Sequence, residues 1–337
     1  MTDTAEPLVT IEDVRAAAER IAGRVARTPL IPFAAAEPGR PLWFKPESLQ
    51  PTGAFKLRGA FNAILQRLDD ARSRGVVTHS SGNHARAVAW VARELGLRAT
   101  IVIPDAAPAV KVDAVRRLGA EVVIVAPEDR DTRAFELAAE HGYVMIPPYD
   151  DAAIVAGQGT IGLEIAADLA GLDGVLVPVS GGGLIGGIAT AVKALSPGTR
   201  VIGVEPELAA DAAESFRTGQ RVSWTPEQTY RTIADGLRTT SVGEIPWRQI
   251  QKYVDDVITV SEDEIRDGVR RLATDARLVA EPSDAVTYAA YLHHAATGGT
   301  VGKTVAVVSG GNVAPETLAH LIAPTTPNPA DDYLKAR

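Results

Sequence analysis

Between Gly75 and Ile146, short apolar runs alternate with stretches whose apolar residues recur at helical spacing. Val76–His79, Ala99–Ile103, Glu121–Val125 and Tyr143–Ile146 predict strands, and Asn83–Leu95, Val110–Leu118 and Thr132–His141 predict helices. Gly96, Gly119 and Gly142 punctuate the joins. Strands alternating with helices in this way describe a parallel βα unit. Upstream, Ile11, Val14, Ala18, Ile21 and Ala22 share one helical face, Thr10 with Asp13 three residues on forms a capping signal, and Pro29 and Pro32 break the pattern.

A second α/β series begins near Ile154. A helix to about Ala170, the strand Val175–Val179, a glycine loop, the helix Leu184–Leu195 and the strand Val201–Glu205 follow in order. Residues 206–260 read as mixed helix and loop. Helices over Glu262–Thr274 and Ser283–Ala296 then precede the strand Thr304–Ser309. The tail from Pro324 is proline-rich and reads as loosely held. The pattern therefore predicts two α/β lobes with a cleft between them, without internal repeats.

Composition narrows the function classes. A chain of 337 residues with 46% hydrophobic and 23% charged residues is ordinary globular protein and, at this length, buries about 75% of its unfolded surface. It has no cysteine, which removes thiolate nucleophiles, iron–sulfur clusters and Cys-based zinc sites, and fits a reducing compartment. A net charge of −8 and the lack of a basic stripe argue against nucleic acid as a partner. The acidic N-terminus lacks the basic and apolar regions of a signal peptide. The uncharged stretch from Gly174 to Val192 contains Pro178, Ser180 and three consecutive glycines, so it reads as strand, loop and helix and not as a membrane span. The expectation is a cytoplasmic protein with no membrane partner.

Four motifs carry candidate chemistry. Ser180-Gly181-Gly182-Gly183-Leu184 joins an apolar strand to a helix, where backbone N–H groups and the helix dipole attract an anion such as a phosphate. The same loop also fits an unliganded turn. Gly181, Gly183 and Gly186 match the dinucleotide spacing, with Glu205 ending the next strand, so a NAD-dependent oxidoreductase is a rival reading. The Gly298–Thr304 stretch resembles a P-loop but is one residue short and leads into a strand, which excludes it. Lys56 follows Thr52, read here as a helix cap. A lysine in a first helical turn, flanked by Phe55 and Leu57, has its amine destabilised as a cation and suits Schiff-base chemistry, although an ordinary surface lysine is the simpler alternative. His79-Ser80-Ser81-Gly82-Asn83-His84 stands at a strand-to-helix junction that can hold a carboxylate, or merely be a serine-capped helix with a structural histidine. Ser309-Gly310-Gly311-Asn312 ends an apolar strand, where a serine can meet a ligand or simply turn the chain.

In this order the motifs resemble the fold type II pyridoxal-phosphate enzymes, on the threonine dehydratase and serine racemase branch. The similarity runs from about Thr10 to Ala314 and is most specific over Lys45–Ala60, where Leu57-Arg58-Gly59 after the lysine favours the dehydratase branch. The resemblance implies two open twisted sheets flanked by helices, with the active site in the interdomain cleft. It implies a large domain of residues 1–66 plus 152–337, a small inserted domain of residues 75–148, and a homodimer. Lys56 is then the lysine that binds pyridoxal 5′-phosphate and afterwards the base on Cα. Ser180, Gly181, Gly182, Gly183 and Leu184 hold the phosphate, with Ser180 a departure from the usual four glycines. Asn83 meets the ring hydroxyl and Ser309 the pyridine nitrogen, a neutral partner that suits prompt β-elimination. Ser80, Ser81, Gly82, Asn83 and His84 hold the carboxylate of an amino-acid substrate. Glu205 is then no ribose ligand but, with the carbonyl of Ala209 and Asp211, part of a site for Mg²⁺ or Ca²⁺.

The implied reaction is dehydration and deamination of a hydroxy amino acid such as L-threonine or L-serine to a 2-oxo acid and ammonia. Ser81 stands where dehydratases dedicated to threonine carry alanine. An acid–base group opposite Lys56 is what racemisation needs, so a serine or hydroxyaspartate racemase, or a 3-hydroxyaspartate dehydratase, remains an alternative. Arg86 and Arg130 are the candidates for a second substrate carboxylate.

Overall fold

The computed structural model describes residues 8–37, 39–294 and 302–323. The tail from Pro324, the end of the expected helix to Ala296 and most of the rejected P-loop stretch lie outside them. In chain order the strands are β1 (Ile31–Pro32), β2 (Leu42–Pro46), β3 (Val76–His79), β4 (Ala99–Pro104), β5 (Glu121–Val125), β6 (Val144–Met145), β7 (Gly174–Pro178), β8 (Arg200–Pro206), β9 (Asp256–Val260) and β10 (Thr304–Val308). They form a six-stranded sheet in the order β1-β2-β10-β7-β8-β9 and a four-stranded sheet in the order β5-β4-β3-β6. Every pairing is parallel except β1 with β2.

Helices cover both faces of the larger sheet, which is why its strands are mostly apolar. The two-residue period sorts them: Leu176, Ile202, Ala306 and Val308 join one core, while Val175, Val177, Val201, Val305 and Val307 join the other. The helix Lys56–Gln66 lies at the seam between the lobes. Its Leu57 and Ile64 share a core with Val76 and Ile101 of the small sheet and with Ile154 of the helix Ala152–Asp168. Both sheets thus direct the carboxyl ends of strands toward that seam, where ligands of open α/β sheets bind.

Three strands depart from the sequence expectation. The two-residue β1 forms where Pro29 and Pro32 were read only as breaking the pattern. β9 lies within the stretch read as helix and loop, and it pairs with β8 from Ile202↔Asp256 to Pro206↔Val260. The rest of that stretch does hold helices, at Asp211–Thr218, Pro226–Thr229 and Glu244–Tyr253. β2 went unanticipated because Lys45 interrupts its apolar run. Lys45 is fully buried, and its Nζ donates to the Thr28 carbonyl at 2.6 Å and to Glu164 at 2.5 Å. Beside it, buried Arg58 binds Glu47 at 2.8 Å and Glu164 at 2.6 Å. Burial opposes ionisation of Glu47, yet the Arg58 guanidinium holds its carboxyl below the ordinary value. Removing one charge from such a buried set costs about 3–5 kcal/mol. The Arg58 next to the candidate lysine therefore anchors its helix to the large lobe.

Candidate active site

The chain before Lys56 is tied to β10 before it becomes helical. Ala54 bridges to Gly310, and Phe55 N–H donates to the Ser309 carbonyl at 2.9 Å. The helix therefore starts at Lys56 itself, with Phe55 in the cap position and no capping side chain. The expected cap, Thr52, instead donates its hydroxyl to the Ala54 carbonyl at 3.4 Å. Lys56 is the first helical residue, and its Nζ donates to the Pro148 carbonyl at 2.6 Å. Burial pushes this amine down to about 8, so about a tenth of it is uncharged at pH 7, far more than for an ordinary lysine.

Pro148 belongs to the segment that crosses from β6 back to the helix Ala152–Asp168, and the next residue, Tyr149, packs on the glycine loop. An ideal Cβ on Gly181 would lie 2.2–2.5 Å from Tyr149 ring atoms, so only glycine admits the ring. Gly182 has a φ of +84° and occupies the cap position of the helix Gly183–Leu195, which no side chain caps. The start of this 13-residue helix is buried. A buried, uncapped N-terminus aims backbone donors at a place that an anion satisfies. Half-buried Ser180 turns aside, its Oγ 2.7 Å from Thr239 Oγ1.

Across the seam, β3 delivers Ser80 and Ser81 to the start of the helix Asn83–Leu95, whose cap position is Gly82. Neither serine caps the helix; Ser80 Oγ accepts from Gly82 N–H at 3.2 Å. Ser80, Ser81, Gly82 and Asn83 are half-buried, whereas His84 is buried with its ring turned away. His84 Nε2–H donates to the Ile146 carbonyl at 2.9 Å, and burial, with Lys56 adding repulsion, pushes its pKa down to about 3. It is neutral at physiological pH, and its imidazole plays a structural part. Any contact of His84 with a carboxylate falls to its backbone.

Asn83 links the lobes. Its Nδ2 donates to Glu281 at 2.6 Å, and its Oδ1 accepts from Asn312 at 2.7 Å. Asn312 also donates to the Thr52 carbonyl at 2.9 Å and accepts from Arg86 at 2.6 Å. Ser309 Oγ–H donates to Asp284 in a short contact. The four motifs thus converge: Ser309 on Lys56 through Phe55, the glycine loop on Lys56 through Tyr149 and Pro148, and Asn83 on the Thr52 turn through Asn312. Tyr149, Glu281 and Asp284 had no signal in the sequence, because each is defined by a partner remote in the chain.

Glu205 and Asp211 sit apart from this group, both about 1% exposed. Glu205 accepts from the N–H groups of Ala212 and Ala213 at 3.3 and 2.8 Å, while the Asp211 carboxyl makes no close hydrogen bond and is approached only by its own backbone and that of Val242. Burial and Asp211 push Glu205 well up, and burial pushes Asp211 up to about 7.

A family model described as pyridoxal-phosphate dependent enzyme matches residues 21–310. That span is most of the chain. The chain belongs to this family. It is similar to the L-threo-3-hydroxyaspartate ammonia-lyase of Saccharomyces cerevisiae, 42% identical over 319 residues that cover 93% of this chain and 96% of that protein. It is also similar to the catabolic L-threonine dehydratase of Escherichia coli, 40% identical over 310 residues that cover 90% of this chain and 93% of that protein. Among solved structures, maize serine racemase superposes with a TM-score of 0.88 at 37% identity, covering 98% of this chain and 99% of that one. The family membership overturns the NAD-dependent reading of the Gly181-Gly183-Gly186 spacing.

The residues fit pyridoxal phosphate. The uncapped helix start suits its phosphate, and the burial-depressed amine of Lys56 suits its aldehyde. The described residues contain no helix long and apolar enough to cross a membrane.

Proposed function

We propose that this chain eliminates water from a hydroxy amino acid and, with water taken back up in hydrolysis, releases a 2-oxo acid and ammonia, with Lys56 as the residue that binds the cofactor and moves the Cα proton. The observation that carries this reading is the Lys56 amine, held at a helix start and lowered to about 8. When bound, pyridoxal phosphate delocalises the charge left when Cα loses its proton. The chain supplies the rest. Backbone N–H groups of Gly181 to Leu184 hold the phosphate, with Ser180 adding at most its backbone. Asn83 meets the ring hydroxyl and Ser309 the ring nitrogen. The turn Ser80–His84 binds the substrate carboxylate, and Lys56 takes the proton from Cα. Ser81, on the small-lobe side of the site, is the group for proton return on the other face, which supports racemisation as a companion activity.

A substrate with a second carboxylate is favoured by one observation. Arg130 is paired with Asp131, which also binds His79, whereas the Arg86 guanidinium is met by the neutral amide of Asn312. Arg86 therefore keeps its charge for a ligand, one side chain away from Asn83. This supports 3-hydroxyaspartate over L-threonine and L-serine. The test is 2-oxo acid, ammonia and enantiomer formation across serine, threonine and 3-hydroxyaspartate. The expected result is a higher kcat/KM for 3-hydroxyaspartate that Arg86→Gln abolishes; equal rates in both proteins defeat the preference, and no ammonia from any of the three defeats the lyase assignment.

We also assign Glu205, Asp211 and the Ala209 carbonyl to a hard cation, Mg²⁺ or Ca²⁺, because two adjacent buried carboxyls are stable as anions only with a positive charge between them, which would displace the protons they otherwise hold. Either cation at saturating concentration is expected to raise the unfolding midpoint of the wild type by a few degrees and to leave Asp211→Ala unmoved. An equal rise in both proteins removes the site.

A further inference from the structure

Behind Ser309 stands a carboxyl that the reading above does not use. Asp284 is 3% exposed and receives the Ser309 hydroxyl on Oδ1, while its Oδ2 has no hydrogen-bond partner. Gly310 makes room for this arrangement, since an ideal Cβ there would lie 2.9 Å from Glu281 Oε1 and 3.0 Å from Asp284 Oδ2. Glu281 thus presses a second carboxyl against Asp284 and is fixed there by Asn83. The charged surroundings are acidic. Asp235 faces Asp284 from the turn Asp235–Leu237 and is paired to Lys111 at 2.6 Å, Glu281 faces it from its own helix end, and Ser309 faces it from the loop after β10. Burial, reinforced by Glu281, pushes Asp284 well above the ordinary carboxyl range. A buried carboxyl beside another, with no cation of the described residues in contact with it, holds a proton.

We propose that Asp284 is a positioning residue that supplies a proton, through Ser309, to the ring nitrogen of the bound cofactor. This rests on the assignment of Ser309 to that nitrogen. The transfer balances. The relay needs the contact reversed: with its proton on Oδ1, Asp284 donates to Ser309 Oγ, and the Ser309 hydroxyl, which otherwise donates to Asp284, turns to the nitrogen. The Ser309 O–H bond then breaks as its proton passes to the nitrogen, and the Asp284 O–H bond breaks as its own proton replaces it on Oγ. Ser309 is unchanged at the end, Asp284 carries one negative charge and the ring one positive charge. A serine alone is a neutral partner; a serine backed by a proton-holding carboxyl becomes a relay. Because Glu281 is tied to Asn83, the groups assigned to the ring hydroxyl and to the ring nitrogen lie on one polar string across the two lobes. A protonated ring withdraws charge from Cα more strongly and prolongs the carbanion, which favours proton return over prompt elimination.

The test is the ¹⁵N shift of nitrogen-labelled pyridoxal phosphate in the holoenzyme, measured on wild type, Asp284→Asn, Asp284→Glu and Ser309→Ala. The expected result is a protonated nitrogen in the wild type, a shift toward the unprotonated value in Asp284→Asn, and recovery in Asp284→Glu. The enantiomer-to-oxo-acid product ratio falls in parallel. If Asp284→Asn is insoluble, Asp284→Ala reads the same shift. An identical nitrogen shift in the wild type and the Asp284 variants overturns the relay while leaving Ser309 in place. If Ser309→Ala keeps the cofactor and the wild-type shift, the assignment of Ser309 is itself wrong.

Discussion

Lys56→Ala is expected to purify without the yellow absorption of lysine-bound cofactor and to lose ammonia formation by about 10⁴-fold or more, the upper range for removing a general base. The reason is geometric as well as chemical. Lys56 is the first residue of its helix and its amine points to the Pro148 carbonyl, in the segment that also carries Tyr149 onto the glycine loop. No other lysine of the seam is equivalent. Lys45 is locked by Glu164 and the Thr28 carbonyl, and Lys111 is paired with Asp235. A pH dependence follows from the amine at about 8. Capture of added pyridoxal phosphate by apoprotein is expected to slow as pH falls below about 8, because the cationic amine that accumulates there is not a nucleophile. The rate, measured by stopped-flow absorbance, is expected to level off above about pH 8; a rate that keeps rising about tenfold per unit to about pH 10, as an ordinary lysine amine requires, contradicts the depressed amine.

The second large effect is expected from Gly181→Ala. The new methyl group would stand 2.2, 2.3 and 2.5 Å from Tyr149 Cγ, Cδ1 and Cδ2, atoms at the root of the ring that cannot swing clear as a flexible tip does. Either the ring or the loop moves. Overpacking of this kind costs about 1–3 kcal/mol, and here it also displaces the N–H groups assigned to the phosphate. Denaturant unfolding and cofactor retention on dialysis both report it. Gly198→Ala is the control: a Cβ there meets nothing within 4 Å, and a change within about 0.5 kcal/mol is expected. Equal stability and equal retention in the two variants would remove Tyr149 as the back wall of the loop.

Periodic apolar pattern made the small sheet and most of the large one legible, because buried parallel strands and the helices between them each leave a period in the chain. The boundaries fell within a few residues: the helix expected over Thr132–His141 begins at Arg130, and the strand expected over Val201–Glu205 runs from Arg200 to Pro206. β2 was hidden because its Lys45 is neutralised by Glu164, more than a hundred residues away. β9 was hidden by its polar start at Asp256 and its partly exposed burial pattern. The helix starting at Lys56 was legible as a helix but not in its cap, since the anchoring hydrogen bond comes from Ser309.

The four motifs were legible as residue types at strand-to-helix and strand-to-turn junctions. Their convergence was not, because it depends on Tyr149 and Glu281, whose only distinction is where the fold puts them, and on the partners that Asn312 finds across the seam. Asp284 is the clearest case. In the sequence it is an acidic residue in the first turn of a helix, where acids are ordinary. Only the fold shows it buried beneath Ser309 with an oxygen left over. His84 was legible as either part of a carboxylate-holding turn or a structural histidine, and the Ile146 carbonyl together with burial makes its imidazole a neutral prop.

The central claim is that Lys56 is the residue to which pyridoxal phosphate attaches. Borohydride reduction of the holoenzyme, followed by digestion and peptide mass spectrometry, tests it directly. The account predicts one phosphopyridoxyl adduct, on Lys56, in the wild type and none at any lysine in Lys56→Ala. An adduct on Lys45, Lys111 or another lysine with Lys56 unmodified would contradict it.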